Sequence, residues 1–135
     1  MTPWKIAVLD RATLVSEPFA FNFPAEVMEY PSTRPEETAA RIAGADVVIT
    51  NKVVITAEHI TANPQLKLIA LAATGVDNVD TAAAKAAGVT VCNIRAYGNE
   101  SVAEHAFMLM IALMRNLPAY QRDVAAGLWE NSPFF

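Results

Sequence analysis

The stretch Leu66-Lys67-Leu68-Ile69-Ala70-Leu71-Ala72-Ala73-Thr74-Gly75-Val76-Asp77-Asn78-Val79 is an apolar run that ends abruptly in a small, polar, glycine-containing turn. Seven of the eight residues from Leu66 to Ala73 are apolar, without period-two alternation. That pattern predicts a strand covered on both faces, as in a parallel sheet, delivering a loop at its end. A glycine beside a small hydroxyl residue leaves amide N–H groups open to approach, so the loop has the make-up to hold a small anion such as a carboxylate. The same residues also suit a plain strand-to-helix turn, with Asp77 or Asn78 helping to cap it.

Upstream, Ile6-Ala7-Val8-Leu9 reads as a first buried strand whose end carries Asp10 and Arg11 into a loop. Leu14 to Pro24 is apolar but irregular, with Phe19, Phe21 and Phe23 bracketed by prolines, and is expected to be a packed loop. Glu26 to Tyr30 is a short second strand. Pro35-Glu36-Glu37 opens a helix with proline in the first turn and acids at the positive end of the dipole, and Gly44 closes it. Asp46 to Thr50 is a third strand. Its end delivers Asn51-Lys52 to the edge that also receives Thr74-Gly75 if the strands are parallel. A short helix after Thr56 carries His59, which suits a solvated helix position as well as a site. Asp80 caps a helix from Thr81 to Ala87, Gly88 stops it, and Val89 to Cys92 is a fifth strand. Strands and helices alternating in this way imply right-handed crossovers. The fold class is therefore α/β, a flavodoxin-like parallel sheet covered by helices, with ligands expected outside the carboxyl ends of the strands.

After Asn93 the pattern changes. Ser101-Val102-Ala103-Glu104 has capping-box spacing, and a long helix is expected from Ser101 to about Leu117. From Ala106 to Met114 it has no polar residue on any side, the mark of a helix buried all round. His105 in its first turns has the chemistry of a ligand or base, or of a histidine hydrogen-bonded at a packed junction. Pro118 restarts the chain as a more polar helix, Ala119 to Ala126. The segment from Leu128 to Phe135 closes on exposed-looking aromatics, which points to a truncated chain.

Composition removes several function classes. The 135-residue chain has a formal charge of −4 and no basic cluster, which excludes an electrostatic footprint for nucleic acid. The longest apolar run, nine residues from Ala106 to Met114, is too short to span a membrane. The single cysteine, Cys92, permits no internal disulfide and suits a reduced cytoplasmic setting. No two of the glycines at 44, 75, 88, 98 and 127 are close enough for a dinucleotide fingerprint or a P-loop. The two histidines are 46 positions apart, without metal-site spacing. Lys52 is the one cation that the strand pattern puts near the anion-friendly loop; an ordinary surface lysine is the other reading.

Taken in order, Ala73-Thr74-Gly75-Val76-Asp77-Asn78-Val79-Asp80, Ala86-Ala87-Gly88-Val89, Val91-Cys92-Asn93 and Ser101-Val102-Ala103-Glu104-His105 resemble the N-terminal part of the D-isomer-specific 2-hydroxyacid dehydrogenases. The end, Leu128-Trp129 through Ser132-Pro133-Phe134, is similar to the glycerate dehydrogenase or hydroxypyruvate reductase branch. The resemblance implies a substrate-binding domain over residues 1–98. Residues 99–135 would be a crossover and dimerisation helix with an arm, leading into a Rossmann nucleotide domain that this chain lacks. It implies that the backbone of Thr74, Gly75 and Val76 grips a small 2-oxo or 2-hydroxy carboxylate, with Lys52 beside it. Thr74 and Val102 would approach the cofactor, NAD or NADP, and the Ser101 to Leu117 helix would form a homodimer. His105 matches a helix position and not the catalytic histidine. The family's fingerprint and its catalytic arginine, glutamate and histidine lie later in its chain. The segment alone is therefore expected to contain no catalytic residue, to bind no cofactor and to be inactive. The alternative is a non-catalytic flavodoxin-like module that self-associates or binds a carboxylate.

Overall fold

The computed structural model describes residues 2–14 and 17–133, so Met1, Val15, Ser16, Phe134 and Phe135 lie outside the described residues. The chain divides into two compact units, Met1–Arg95 and Ala96–Phe135.

Among the described residues of the first unit, five strands form one sheet: β1 (Trp4–Val8), β2 (Ala25–Glu29), β3 (Val47–Thr50), β4 (Leu68–Leu71) and β5 (Thr90–Cys92). All four pairings are parallel and the order is β2-β1-β3-β4-β5. This is the flavodoxin-like order expected from the alternating pattern. Helices α1 (Pro35–Ile42), α2 (Ala57–Thr61) and α3 (Thr81–Ala86) link β2 to β3, β3 to β4 and β4 to β5. Each begins as its residues dictate. Pro35 stands at the start of α1, with Glu37 bonded back to the Arg34 amide. Thr56 caps α2, and the Asp80 side chain accepts the Ala83 N–H at the start of α3. Gly88 follows α3 at φ +72°, a conformation that a side-chain-bearing residue adopts only with strain. The stretch between β1 and β2 contains no strand among its described residues; Phe19 stacks on Phe21 at 6.1 Å and Phe21 meets Phe23 at 5.2 Å.

The core lies on one face of the sheet. Ala7, Val48, Ile69 and Leu71 pack with Ile42 of α1, Ile60 of α2 and Ala84 of α3. Burial in β3 and β4 alternates: Val48, Thr50, Ile69 and Leu71 are buried, whereas Val47, Ile49, Leu68 and Ala70 are half-buried. The expectation of a strand sealed on both faces is thus corrected for β4, and β3 alternates in the same way. Their helices all cover one face, and the other stays partly open. In β1 the run Ile6, Ala7, Val8 is buried at successive positions, hence on both faces.

One buried polar side chain ties the helical layer to the sheet. Asn63, 2% exposed, donates from Nδ2 to the carbonyls of Ile42 and Ala45 and accepts the Gly44 N–H at Oδ1. It thereby satisfies the turn that takes α1 into β3. At the opposite end of the sheet from the loops of interest, Lys67 lies over the Trp4 ring and pairs with Asp46 at 2.8 Å. The Lys67 hydrogen bond, then the Lys5 N–H, hold the Asp46 carboxyl below its ordinary range.

The second unit contains α4 (Asn99–Met114) and α5 (Leu117–Ala125). The long helix therefore starts before Ser101 and stops short of Leu117, and Ser101 is a helix residue instead of a cap: Gly98 occupies the cap position without a side-chain bond. The stop has a simple cause. Pro118 has no N–H to give to the Met114 carbonyl, and its ring would clash there, so the helix ends at Met114. Asn116 makes the corner at φ +53°, a left-handed conformation asparagine tolerates better than most residues. No residue of α4 is buried, and Phe107, Met108, Leu109, Met110, Ile111, Leu113 and Met114 are all exposed. The all-round burial expected of this helix is not achieved within its own unit, where only α5 and the turn before it are available to pack.

Two stability predictions follow from these contacts. Asn63→Ala leaves buried groups unpaired at about 1–3 kcal/mol each, so urea denaturation of the chain should show a midpoint lowered well beyond that of a surface substitution. Because the Asp46 carboxyl is depressed in the folded state, its contribution is present above the unfolded carboxylate pKa and is lost as pH falls through the folded value. Stability measured through the acidic range should drop less steeply in Asp46→Asn than in the parent.

Candidate functional site

The site is built at the carboxyl ends of β1, β3 and β4, where each strand hands its chain to a loop. After β3, the turn Thr50-Asn51-Lys52-Val53 wraps around a carboxylate from the end of β1. Asp10, only 4% exposed, accepts the Asn51 N–H at 3.0 Å and the Lys52 N–H at 2.5 Å, and the Thr50 hydroxyl stands at 3.4 Å. The Thr50 hydroxyl accepts in turn from the Val53 N–H at 3.1 Å. Successive N–H groups converging on one anion form a nest, here filled by the protein's own side chain. From the other side Asn78 donates to the Val53 carbonyl at 3.0 Å and reaches that of Asn51 at 3.5 Å.

The loop after β4 is held by its carbonyls. Asn93 Nδ2 donates to the Thr74 carbonyl at 2.7 Å, and the Ile94 N–H donates to that of Ala73 at 3.0 Å. The Val76 carbonyl accepts the Val79 N–H at 3.0 Å. The N–H groups of Thr74, Gly75 and Val76, by contrast, donate to no other described residue. Thr74 and Gly75 are exposed, whereas the Val76 side chain packs against the core. Gly75 is not in the left-handed region; a Cβ there would meet Asp77 Oδ2 at 3.3 Å. Glycine matters here for room rather than for an unusual backbone conformation.

The structure brings Lys52 and Gly75 together as the sequence predicted. They line one hollow of about 220 Å³ with Asn51, Ala73, Asp77 and Asn78. Lys52 also lines a second hollow of about 440 Å³, whose wall includes Asp10, Thr33, Val54, Thr56 and His59. Its ammonium has no partner among the described residues. Asp77 places a carboxylate at the first hollow too, so its field is mixed. Val102 belongs to the second unit, where it is exposed in the first turns of α4.

Two histidine readings change. His59 is half-buried, and its Nδ1 accepts the Thr56 N–H at 3.2 Å while the Thr56 hydroxyl accepts the His59 N–H at 3.3 Å. It closes a capping box and is no longer a simply solvated residue. His105 is exposed on α4 without a hydrogen-bond partner among the described residues, so it is not held at a packed junction. Sequence reasoning missed the bracing role of Asp10, Asn78 and Asn93. The signal for Asp10 was an acid placed directly after the uninterrupted apolar run Ile6 to Leu9. The described residues offer no cluster of metal-ligating side chains, and none of their helices is long and apolar enough to cross a membrane.

A parallel sheet in this order, with a glycine loop and a lysine lining one hollow at its carboxyl edge, defines an α/β domain of the flavodoxin-like class. The chain belongs to the D-isomer specific 2-hydroxyacid dehydrogenases: the model of that family's catalytic domain matches residues 6–127. It is 48% identical over 132 residues to the glycerate dehydrogenase of Methylorubrum extorquens, covering 97% of this chain and 42% of that protein. A hydroxypyruvate reductase of Blautia hydrogenotrophica is 35% identical over 101 residues, covering 75% of this chain and 31% of that one. Among solved structures, an NAD-dependent formate dehydrogenase from Staphylococcus aureus in complex with NAD superposes with a TM-score of 0.68 at 26% identity, over 93% of this chain and 43% of its own. The chain thus spans less than half the length of these relatives.

The free amides make a direct prediction. In an enzyme containing this segment, Gly75→Val should raise KM for a 2-oxoacid far more than KM for the cofactor, because each charge-assisted bond lost is worth about 1.5–3 kcal/mol. Steady-state kinetics in which both constants rise together would show that the loop does not hold the carboxylate.

Proposed function

We propose that residues 1–98 are the substrate-binding domain, and residues 99–135 the crossover and dimerisation segment, of a NAD(P)-dependent D-2-hydroxyacid dehydrogenase. The reaction is reduction of a 2-oxoacid such as hydroxypyruvate or glyoxylate in the cytoplasm. The observation that carries this reading is the set of three consecutive N–H groups at Thr74, Gly75 and Val76 without a partner among the described residues, in a loop whose Gly75 lines one hollow with Lys52. Three amides and a cation suit a carboxylate, which accepts several hydrogen bonds at once. Holding the carboxylate there fixes the neighbouring C2 carbonyl at the strand edge, which is the orientation work asked of a substrate domain.

The nicotinamide cofactor, when bound, supplies the hydride for C2. This chain fits one end of it only. None of its five glycines builds a phosphate-binding turn, so the contribution proposed here is limited to Thr74 and Val102 at the nicotinamide end. The cation that polarises the carbonyl and the acid that protonates its oxygen belong to the part of the enzyme beyond this segment. Calorimetric titration of the 135-residue chain with NADH or NADPH should show no binding, and micromolar affinity would overturn the division of labour.

The exposed apolar surface of α4 supports the homodimer. Leaving side chains such as Phe107, Met110 and Leu113 wet forgoes about 1.5–3 kcal/mol each, and a two-fold pairing buries the same surface on both copies. Light scattering behind size exclusion should give a dimer or larger, with Met110→Arg shifting it toward monomer or aggregate; a stable monomer at tens of micromolar would refute the interface.

A further inference from the structure

We propose that Asp10 is a positioning residue for the 2-oxoacid, acting through Lys52; the inference rests on the substrate role given to Lys52 above. Asp10 lies beside the larger hollow, yet it is 4% exposed and its two carboxylate oxygens are engaged by the Asn51 and Lys52 N–H groups and faced by the Thr50 hydroxyl. It has no free edge to offer a ligand. What it holds is not a strand but the turn that carries Lys52, the one residue lining both hollows.

The grip is two-sided. Asp10 takes the amide hydrogens of Asn51 and Lys52, while Asn78 takes the carbonyls on either side of Lys52, at Asn51 and Val53. The Thr50 hydroxyl links the two by facing Asp10 and accepting from the Val53 N–H. The backbone of Lys52 is therefore fixed from both directions, although its ammonium is bound to nothing among the described residues. A long flexible side chain places a charge reliably only if its root is fixed. Asp10→Asn keeps the size of the side chain but removes its negative charge and sets an NH2 against the Asn51 N–H, which loosens the grip on the turn that roots Lys52. A charge-assisted contact to the substrate that is lost when its donor is displaced weakens binding on the order of tenfold or more, which is read in KM.

The test is a double-mutant cycle in the complete enzyme containing this segment, with Asp10→Asn, Lys52→Met and both together. Asp10→Asn should raise KM for hydroxypyruvate or glyoxylate roughly tenfold with KM for the nicotinamide cofactor unchanged, and the double variant should be no worse than Lys52→Met alone. A purely structural role would lower thermal stability and leave the two KM effects additive, which overturns the proposal. If Lys52→Met itself leaves KM unchanged, the substrate role of Lys52 fails and this inference with it. If Lys52→Met is impaired but Asp10→Asn is normal, only the inference fails. Should Asp10→Asn not fold, Thr50→Val is the second variant: it should raise the same KM, and Thr50→Ser should restore it. In the unaltered protein, the Lys52 amide should exchange slowly with deuterium; fast exchange would show that Asp10 does not hold it.

Discussion

The burial of β1 on both faces is the constraint from which the first unit is built. Ile6, Ala7 and Val8 are excluded from water at successive positions, and a strand in that situation must satisfy its backbone on both edges. It does so by pairing in parallel with β2 on one side and β3 on the other. Parallel neighbours require crossover connections, and the helices supplied by those crossovers form the layer that closes the core. This interior strand therefore sets where the carboxyl-terminal loops of its neighbours emerge. Asp10, at its end, meets the end of β3 because the two strands run side by side in register.

That placement explains the division of polar work at the carboxyl edge. Buried or half-buried side chains, Asp10, Asn78 and Asn93, are used up on loop backbone. At this edge the amides at Thr74 to Val76 and the Lys52 ammonium have no partner among the described residues. A polar group buried without a partner is costly, so the interior side chains find backbone partners, while groups at the solvent edge stay unpaired at little cost because water satisfies them.

Much of the fold was legible in the residues. The apolar runs ending in Asp10, Thr50 and Thr74, the caps at Thr56 and Asp80, and the stop at Gly88 each have a local physical cause, and each element falls within a residue or two of its sequence-derived position. The pairing of Lys52 with Gly75 in one hollow was also legible, since parallel strands put both loops at one edge. What local pattern did not show was the extent of α4. Its start at Asn99 precedes an attractive capping box at Ser101, and its end at Met114 is imposed by a proline four residues further on.

The sequence by itself determined the strand and helix order, the parallel sheet, the family, and the chemistry available at the loop edge, because those depend on periodicity, caps and short motifs. Tertiary structure decided which polar residues are structural. Asp10 and Asn63 look alike in sequence as polar residues just beyond the ends of elements. Only the packing shows that Asp10 fills a nest and Asn63 fastens a helix to a strand. The reason is that a hydrogen bond across 40 residues depends on where the chain returns, and that is fixed by strand pairing and core closure, not by any local feature of the sequence.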